Sequence, residues 1–318
     1  MCLVTLAIDQ SRRFPLVIAA NRDEFFNRPA ARLSWWSPGP GLPDILGGRD
    51  LEAGGTWLGL TAAGRLGLVT NVRAPAARRD PDAPSRGEIV QRWLAGDDAT
   101  DRFWMRTALS GYNGFNLIAA DFQRGDCFFA SNQHTHPSRL ERGLYGLSNG
   151  ALDSPWPKVT QLKAATLDAL GGSESVDALA GRLFEALADR SVFPDEELPS
   201  TGVPLDWERT LSSTFIRTPD QAYGTRCSTL VITERVNKRL VTHVLERTFT
   251  PAGGVALLRR SLLKDWPPRY TEAPPVHASA QEAVLETTDE AQTLEMPLRR
   301  TRVRTLLKPD TARRRRAA

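Results

Sequence analysis

The stretch MCLVTLAIDQSRRFPLVIAAN (residues 1–21) decides the fold. MCLVTLAI (1–8) alternates loosely, FPLVIAAN (14–21) is a continuous apolar run, and the polar DQSRR between them has turn character. Both runs are short and rich in β-branched residues, so they predict a hairpin with at least one strand buried on both faces. Such a strand needs apolar partners above and below it.

The rest of the chain supplies them. GGTWLGLTAAGRLGLVTNV (54–72) predicts a second hairpin, GFNLIAADF (114–122) and DCFFASN (126–132) a strand pair, and GLYGLSN (143–149) a further short strand. STLVITER (228–235) and RLVTHVLERTF (239–249) make another hairpin around VNK. Helices are predicted between these groups. In SRGEIVQRWLAG (85–96), Ser85 and Glu88 have capping-box spacing and Gly96 marks the stop. PKVTQLKAATLDALGG (157–172) opens with Pro and closes with Gly, and VDALAGRLFEALAD (176–189) is amphipathic. Hairpins at both ends with helices grouped between them lack the βαβ alternation of a doubly wound fold, and predict a layered α+β protein. No internal repeat is visible.

Composition sets the outer limits. The 318 residues are 41% hydrophobic and 25% charged, as in folded globular proteins. No apolar run reaches the roughly 18 residues of a membrane-spanning helix, and the N-terminus lacks a signal-peptide pattern, so a cytoplasmic location is expected. The three cysteines, Cys2, Cys127 and Cys227, are far apart and without metal-ligand spacing. Residues 251–318 hold thirteen Lys/Arg against eight Asp/Glu, so the basicity belongs to the tail. That segment is rich in Pro and charge, and is expected to be a mostly disordered extension of a 1–250 domain, with a short helix at 254–264. Its RRRR (313–316) suits contact with anionic surfaces; nothing points to specific nucleic-acid recognition.

Several features bear on chemistry. Cys2 follows the initiator methionine, which is usually removed before a small residue. The freed α-amine, with a pKa of about 7.7–8.0, would then serve the thiol beside it as a base. The alternative is a small core residue of a first strand. NRDE (21–24) puts four polar residues at the end of the apolar second strand. Strand alternation sends Asn21 and Asp23 one way and Arg22 and Glu24 the other. Asn71 in TNV, Asn149 in LSNG and Arg226 in GTRCST offer amide and guanidinium donors, or ordinary turn residues. His134 and His136 read as surface histidines, and the glycine pairs of GGRD and GGTW lack the context of a phosphate-binding loop. Trp35, Trp36 and Trp57 could line an apolar cleft or simply be core.

Read together, MCLV, ANRDEF, GGRDLEAGGTWLG, TNVRAP, RGE, YNGFNLIAAD, YGLSN, PWPK and YGTRCST resemble the NRDE family, whose eukaryotic members are the transport and Golgi organisation 2 proteins. The resemblance runs from residue 1 to about 250. It implies similarity to the N-terminal nucleophile hydrolases, hence a four-layer αββα sandwich of two mainly antiparallel sheets. It also implies an amide-cleaving site with Cys2 as nucleophile, Asp23 as the second-strand aspartate, Asn71 and Asn149 as site asparagines, and Arg226 as the later arginine.

One departure stands out. Ala20 occupies the place where such hydrolases carry an arginine, and Arg22 is expected to be out of step with it and turned to the other face. Arg226 is then left to lower the thiol pKa. The resemblance implies two alternative functions. One is a cysteine amidohydrolase acting on an acylated small molecule with no cofactor; the other is a non-catalytic carrier of haem, acyl-CoA or lipid on the same scaffold.

Overall fold

In the computed structural model, which describes residues 2–133 and 136–268, the opening hairpin is β1 (Cys2–Ile8) and β2 (Leu16–Phe25). Alternation divides their apolar side chains between two cores. Val4, Leu6, Leu16, Ile18 and Ala20 face one, and Leu3, Ala7, Val17 and Ala19 face the other. The buried-on-both-faces strand is therefore a central strand of a middle layer.

The chain continues through β3 (Ala30–Trp36), β4 (Ile45–Asp50), β5 (Leu58–Leu60) and β6 (Arg65–Asn71) to the helices α1 (Gly87–Ala95) and α2 (Thr100–Ala108). Next come β7 (Phe115–Asp121), β8 (Asp126–Ser131), β9 (Ser138–Arg139) and β10 (Gly143–Leu147), then α3 (Pro157–Gly172), α4 (Val176–Leu187) and α5 (Leu205–Thr210). β11 (Tyr223–Val236), β12 (Arg239–Phe249) and β13 (Val255–Lys264) complete the described chain.

The strands form two antiparallel sheets, ordered β10-β1-β2-β11-β12-β13 and β3-β4-β5-β6-β7-β8-β9. One core, including Val4, Ile18, Leu68, Ile118 and Val231, lies between them. A second joins the first sheet to α3 and α4 through residues such as Leu162, Leu179 and Leu183, and a third joins the second sheet to α1 and α2 through Ile89, Trp93 and Phe103. The layers thus run α, β, β, α, the expected α+β sandwich.

Trp93 anchors the third core. It is fully buried, and its indole N–H donates to the Leu66 carbonyl at 2.9 Å. Trp93→Ala is expected to cost about 3–5 kcal/mol, read as a fall in the denaturant midpoint with an unchanged slope.

Several local expectations need correction. Residues 255–264 are strand β13, paired along β12, so the short helix expected at 254–264 does not exist and the sheet extends past the expected boundary at 250. Ladder pairing along β12, with Leu258 packed on the helix side and Leu263 in the core between the sheets, outweighs a helical reading of this stretch. Ser85 makes no side-chain cap on α1; its backbone carbonyl accepts from Glu88 N instead. α2 was not foreseen, since only Phe103 and Thr107 of it are buried and it carries no side-chain cap. β10, which follows the β7–β8–β9 strands in the chain and for which the sequence predicts no neighbour, lies in the other sheet beside β1. His134 and the extension from 269 lie outside the described residues. No described helix is long and apolar enough to cross a membrane.

Candidate active site

Cys2 begins β1, and its cross-strand partner is Arg22 on β2. Directly opposed residues in an antiparallel pair share a face. Arg22 therefore points with Cys2 into the space between the sheets, where the inward set Leu16, Ile18 and Ala20 also points. The expectation that Arg22 faces away fails because positions 20 and 22 are two apart and have the same orientation. Arg22 is 6% exposed, and its guanidinium lies over the Trp57 ring at 4.2 Å. Nη2 is 3.7 Å from Glu24 Oε2, and Nη1 has no hydrogen-bond partner among the described residues.

Asp23 follows, beyond the start of β1 and on the opposite face from Arg22. Its Oδ1 accepts from Thr225 Oγ1 at 2.7 Å, and burial pushes its carboxyl pKa up. A β-bulge between Thr225 and Cys227 makes this possible, placing Thr225 opposite Asp23 and Cys227 opposite Arg22. Arg226 is the bulged residue. Its Nη1 donates to the carbonyls of Phe25 (2.6 Å) and Arg28 (2.9 Å), and its guanidinium stacks on Phe26. It braces the turn after β2 and does not line the cavity, so the cation beside Cys2 is Arg22.

Cys2, Arg22, Asp23, Glu24, Trp57 and Asn71 all line a cavity of about 880 Å³. Asn71, at the end of β6, reaches it from the second sheet. Asn149 does not: it is buried, and its Nδ2 donates to the Asn71 carbonyl at 2.8 Å. The neighbouring Ser148 Oγ donates to the Cys2 carbonyl at 3.1 Å, so the LSN turn ties both strand ends together. Asn21 also lies off the cavity. Its amide donates to the carbonyls of Leu187 and Thr214 and its oxygen accepts from Ser228 Oγ, joining the sheet to the end of α4. Of the three tryptophans, Trp57 alone lines the cavity; Trp35 packs on the inter-sheet core and Trp36 beside Arg49.

Behind Asp23 lies a set of buried charges that sequence reading did not single out. Lys158, in the first turn of α3, is 2% exposed and donates to the Leu211 carbonyl at 2.8 Å. Burial, with Arg73 beside it, brings its pKa down to about 7. Arg73 is ion-paired with Glu208 of α5 and stacks over Trp156 at 4.6 Å. The motifs TNVRAP and PWPK contain Arg73 and Lys158, but a lone Arg or Lys in a Pro-containing segment gives no sign of burial.

Burial pushes the Cys2 thiol up, and Arg22 acts in the opposite direction. Arg22→Met is therefore expected to move alkylation of Cys2 to higher pH. At neutral pH the rate should fall roughly tenfold, while Arg226→Met leaves the pH profile in place; iodoacetamide labelling followed by mass spectrometry reads both.

The sequence profile of the Transport and Golgi organisation 2 family matches residues 1–251. The chain belongs to this family. The mouse transport and Golgi organization 2 homolog is 34% identical over 250 residues, covering 74% of this chain and 89% of its own. The human homolog is 33% identical over 254 residues, with the same shares. The Drosophila melanogaster protein is 29% identical over 272 residues, covering 79% and 93%. Among solved structures, a Caenorhabditis elegans N-acylethanolamine-hydrolyzing acid amidase ortholog is matched at a TM-score of 0.41 and 10% identity, over 73% of this chain and 92% of that one. The C2A mutant of a Clostridium perfringens conjugated bile acid hydrolase is matched at the same TM-score and identity, over 87% and 100%. The family match ends at 251, so β13, the last strand among the described residues, lies beyond it.

Proposed function

We propose that this transport and Golgi organisation 2 family member is a cytoplasmic N-terminal-cysteine amidohydrolase acting on an acylated small molecule. The observation that carries the reading is the pairing of Cys2 with Arg22 at the wall of the cavity, with Asp23 next along β2 where β1 begins. Removal of Met1 frees the Cys2 amine beside Asp23, whose carboxylate orients it.

The thiol then attacks the amide carbonyl and its proton passes to this amine as the C–S bond forms. The Asn71 amide donates to the developing oxyanion, worth on the order of 3 kcal/mol. Asn149 positions Asn71 through its main chain. The ammonium returns the proton to the leaving nitrogen as the C–N bond breaks, and water hydrolyses the acyl thioester to a carboxylic acid and free thiol. Arg22 favours the sulfur anion throughout. Intact-mass analysis of the purified protein, with and without a thiol-directed electrophile, tests this. A chain that begins at Cys2 and takes one label there supports it; retained Met1 overturns it.

A second reading, a non-catalytic carrier of haem, acyl-CoA or lipid, is favoured by one observation: burial raises the Cys2 thiol pKa, and a protonated thiol is a poor nucleophile. No histidine is among the described residues lining the cavity, and Cys2 is their one sulfur. The lining residues that could ligate haem iron, Cys2 and Tyr223, would do so only deprotonated, which burial opposes, so the same observation favours acyl-CoA or lipid over haem as the cargo. Calorimetric titration with palmitoyl-CoA distinguishes the readings: saturable binding that persists in Cys2→Ala, with the ligand left intact by the wild type, favours the carrier.

A further inference from the structure

The cavity wall contributed by residues 79–87 differs from the rest in its charge pairing. Arg28 is held by Asp50 at 2.8 Å and Glu52 at 2.7 Å, Arg22 has Glu24, and Arg73 has Glu208. Arg79 and Arg86 line the same cavity, and neither forms an ion pair among the described residues. The only hydrogen bonds their side chains make among the described residues are to backbone carbonyls. Arg79 Nη2 donates to Ala74 O at 3.1 Å and Arg86 Nη1 to Gly114 O at 3.2 Å, contacts that aim a guanidinium without neutralising it. The acid nearest Arg79 in sequence, Asp80, is exposed and accepts from Asp82 N, and Glu24, whose charge acts on Arg86 within the cavity, has Arg22 as its ion-pair partner.

Arg86 is also fixed in place. It precedes the first residue of α1, and Gly87 packs so closely on Gly55 that a Cβ at Gly55 would lie 2.4 Å from the Gly87 carbonyl carbon. Withdrawal from water, with Arg79 as a like-charged neighbour, brings the Arg86 pKa down to about 10. Two neighbouring cations, one partly desolvated and neither paired, form a site for an anion. Other lining segments are apolar: Phe25 and Trp207 each stack edge-on against Tyr223, and Leu211 and Pro204 adjoin them.

We propose that the ligand of the Cys2 cavity is an N-acylated amine bearing an anionic group, with Arg86 and Arg79 receiving the anion and the Phe25–Tyr223–Trp207 wall the acyl chain. This rests on the reading of the cavity as a substrate site, and its test needs no turnover. Cys2→Ala protein is titrated calorimetrically with three matched probes: N-octanoylglycine, N-octanoylethanolamine phosphate and neutral N-octanoylethanolamine.

At least one anionic probe is expected to bind about tenfold tighter than the neutral one, with a preference that weakens as salt is raised. Which anion binds tighter identifies the source as carboxylate or phosphate. Arg79→Gln/Arg86→Gln, in the same Cys2→Ala background, is expected to remove the preference while the neutral probe binds as before. Because both kinds of probe are compared on one protein, a loss of stability in the variant does not imitate this result. Equal binding of all three, binding of none, or a preference that survives the double substitution overturns the proposal. Failure of the hydrolase reading shows separately, as wild-type protein that binds the anionic probe and leaves its amide intact.

Discussion

Cys2→Ala protein is expected to be folded and inert. The residue sits at the start of a strand whose remaining positions form the core, so truncating it removes one sulfur from the cavity wall and leaves Leu3, Val4 and Leu6 in place. Hydrolysis of an acylated amine should fall by roughly a thousandfold or more, because nucleophile and base are carried by the same residue and no other group can take over the attack. Cys2→Ser is the informative companion. It keeps the α-amine and a hydroxyl, so it separates the need for an amine from the need for sulfur. Activity retained in Cys2→Ala would place the chemistry elsewhere and sink the proposed mechanism.

The second large effect concerns stability. Arg73 and Glu208 are both nearly inaccessible, and Glu208 accepts from the backbone and hydroxyl of Thr201 as well as pairing with Arg73. Removing one partner strands the other charge in the interior. Either Arg73→Met or Glu208→Met is therefore expected to cost about 3–5 kcal/mol. For a chain of this size that lowers the melting temperature by roughly 10 °C. The double variant should recover much of the loss, since it removes both charges together. Thermal melts of the four proteins measure the coupling, and additive losses would show that the two side chains do not act as a pair.

The fold was legible where periodicity was strong. β1, β2, β7, β8, β11 and β12 are legible as short apolar or aromatic runs bounded by turn residues, and α3 from its opening Pro157 and closing Gly172. β13 was misread because it lies at the sheet's edge with Val255 and Ala256 exposed, which blurs alternation into a pattern compatible with a helix. The site was legible as a set of residue types and less so as a geometry. Cys2, Asp23 and Asn71 do meet at the cavity. Asn149 and Arg226 carry suitable donors, but the backbone carbonyls of Asn71, Phe25 and Arg28 use them. Lys158 and Glu208 escaped notice because sequence does not reveal which charged residues the folded chain withdraws from water.

The bulge at Arg226 has a further meaning in terms of parity. In an uninterrupted strand, residues 225 and 227 would lie on one side of the sheet. Their partners, Asp23 and Arg22, are consecutive and lie on opposite sides. The single extra residue converts one parity to the other. Upstream of it, Thr225 keeps company with Asp23; downstream, Cys227 stands beside Arg22 and Val231 joins the core between the sheets. One strand thereby supports both halves of the site from its two faces. In this chain the length of that strand is fixed to the residue: losing or gaining one position near 226 would leave either the carboxylate or the guanidinium with the wrong neighbour.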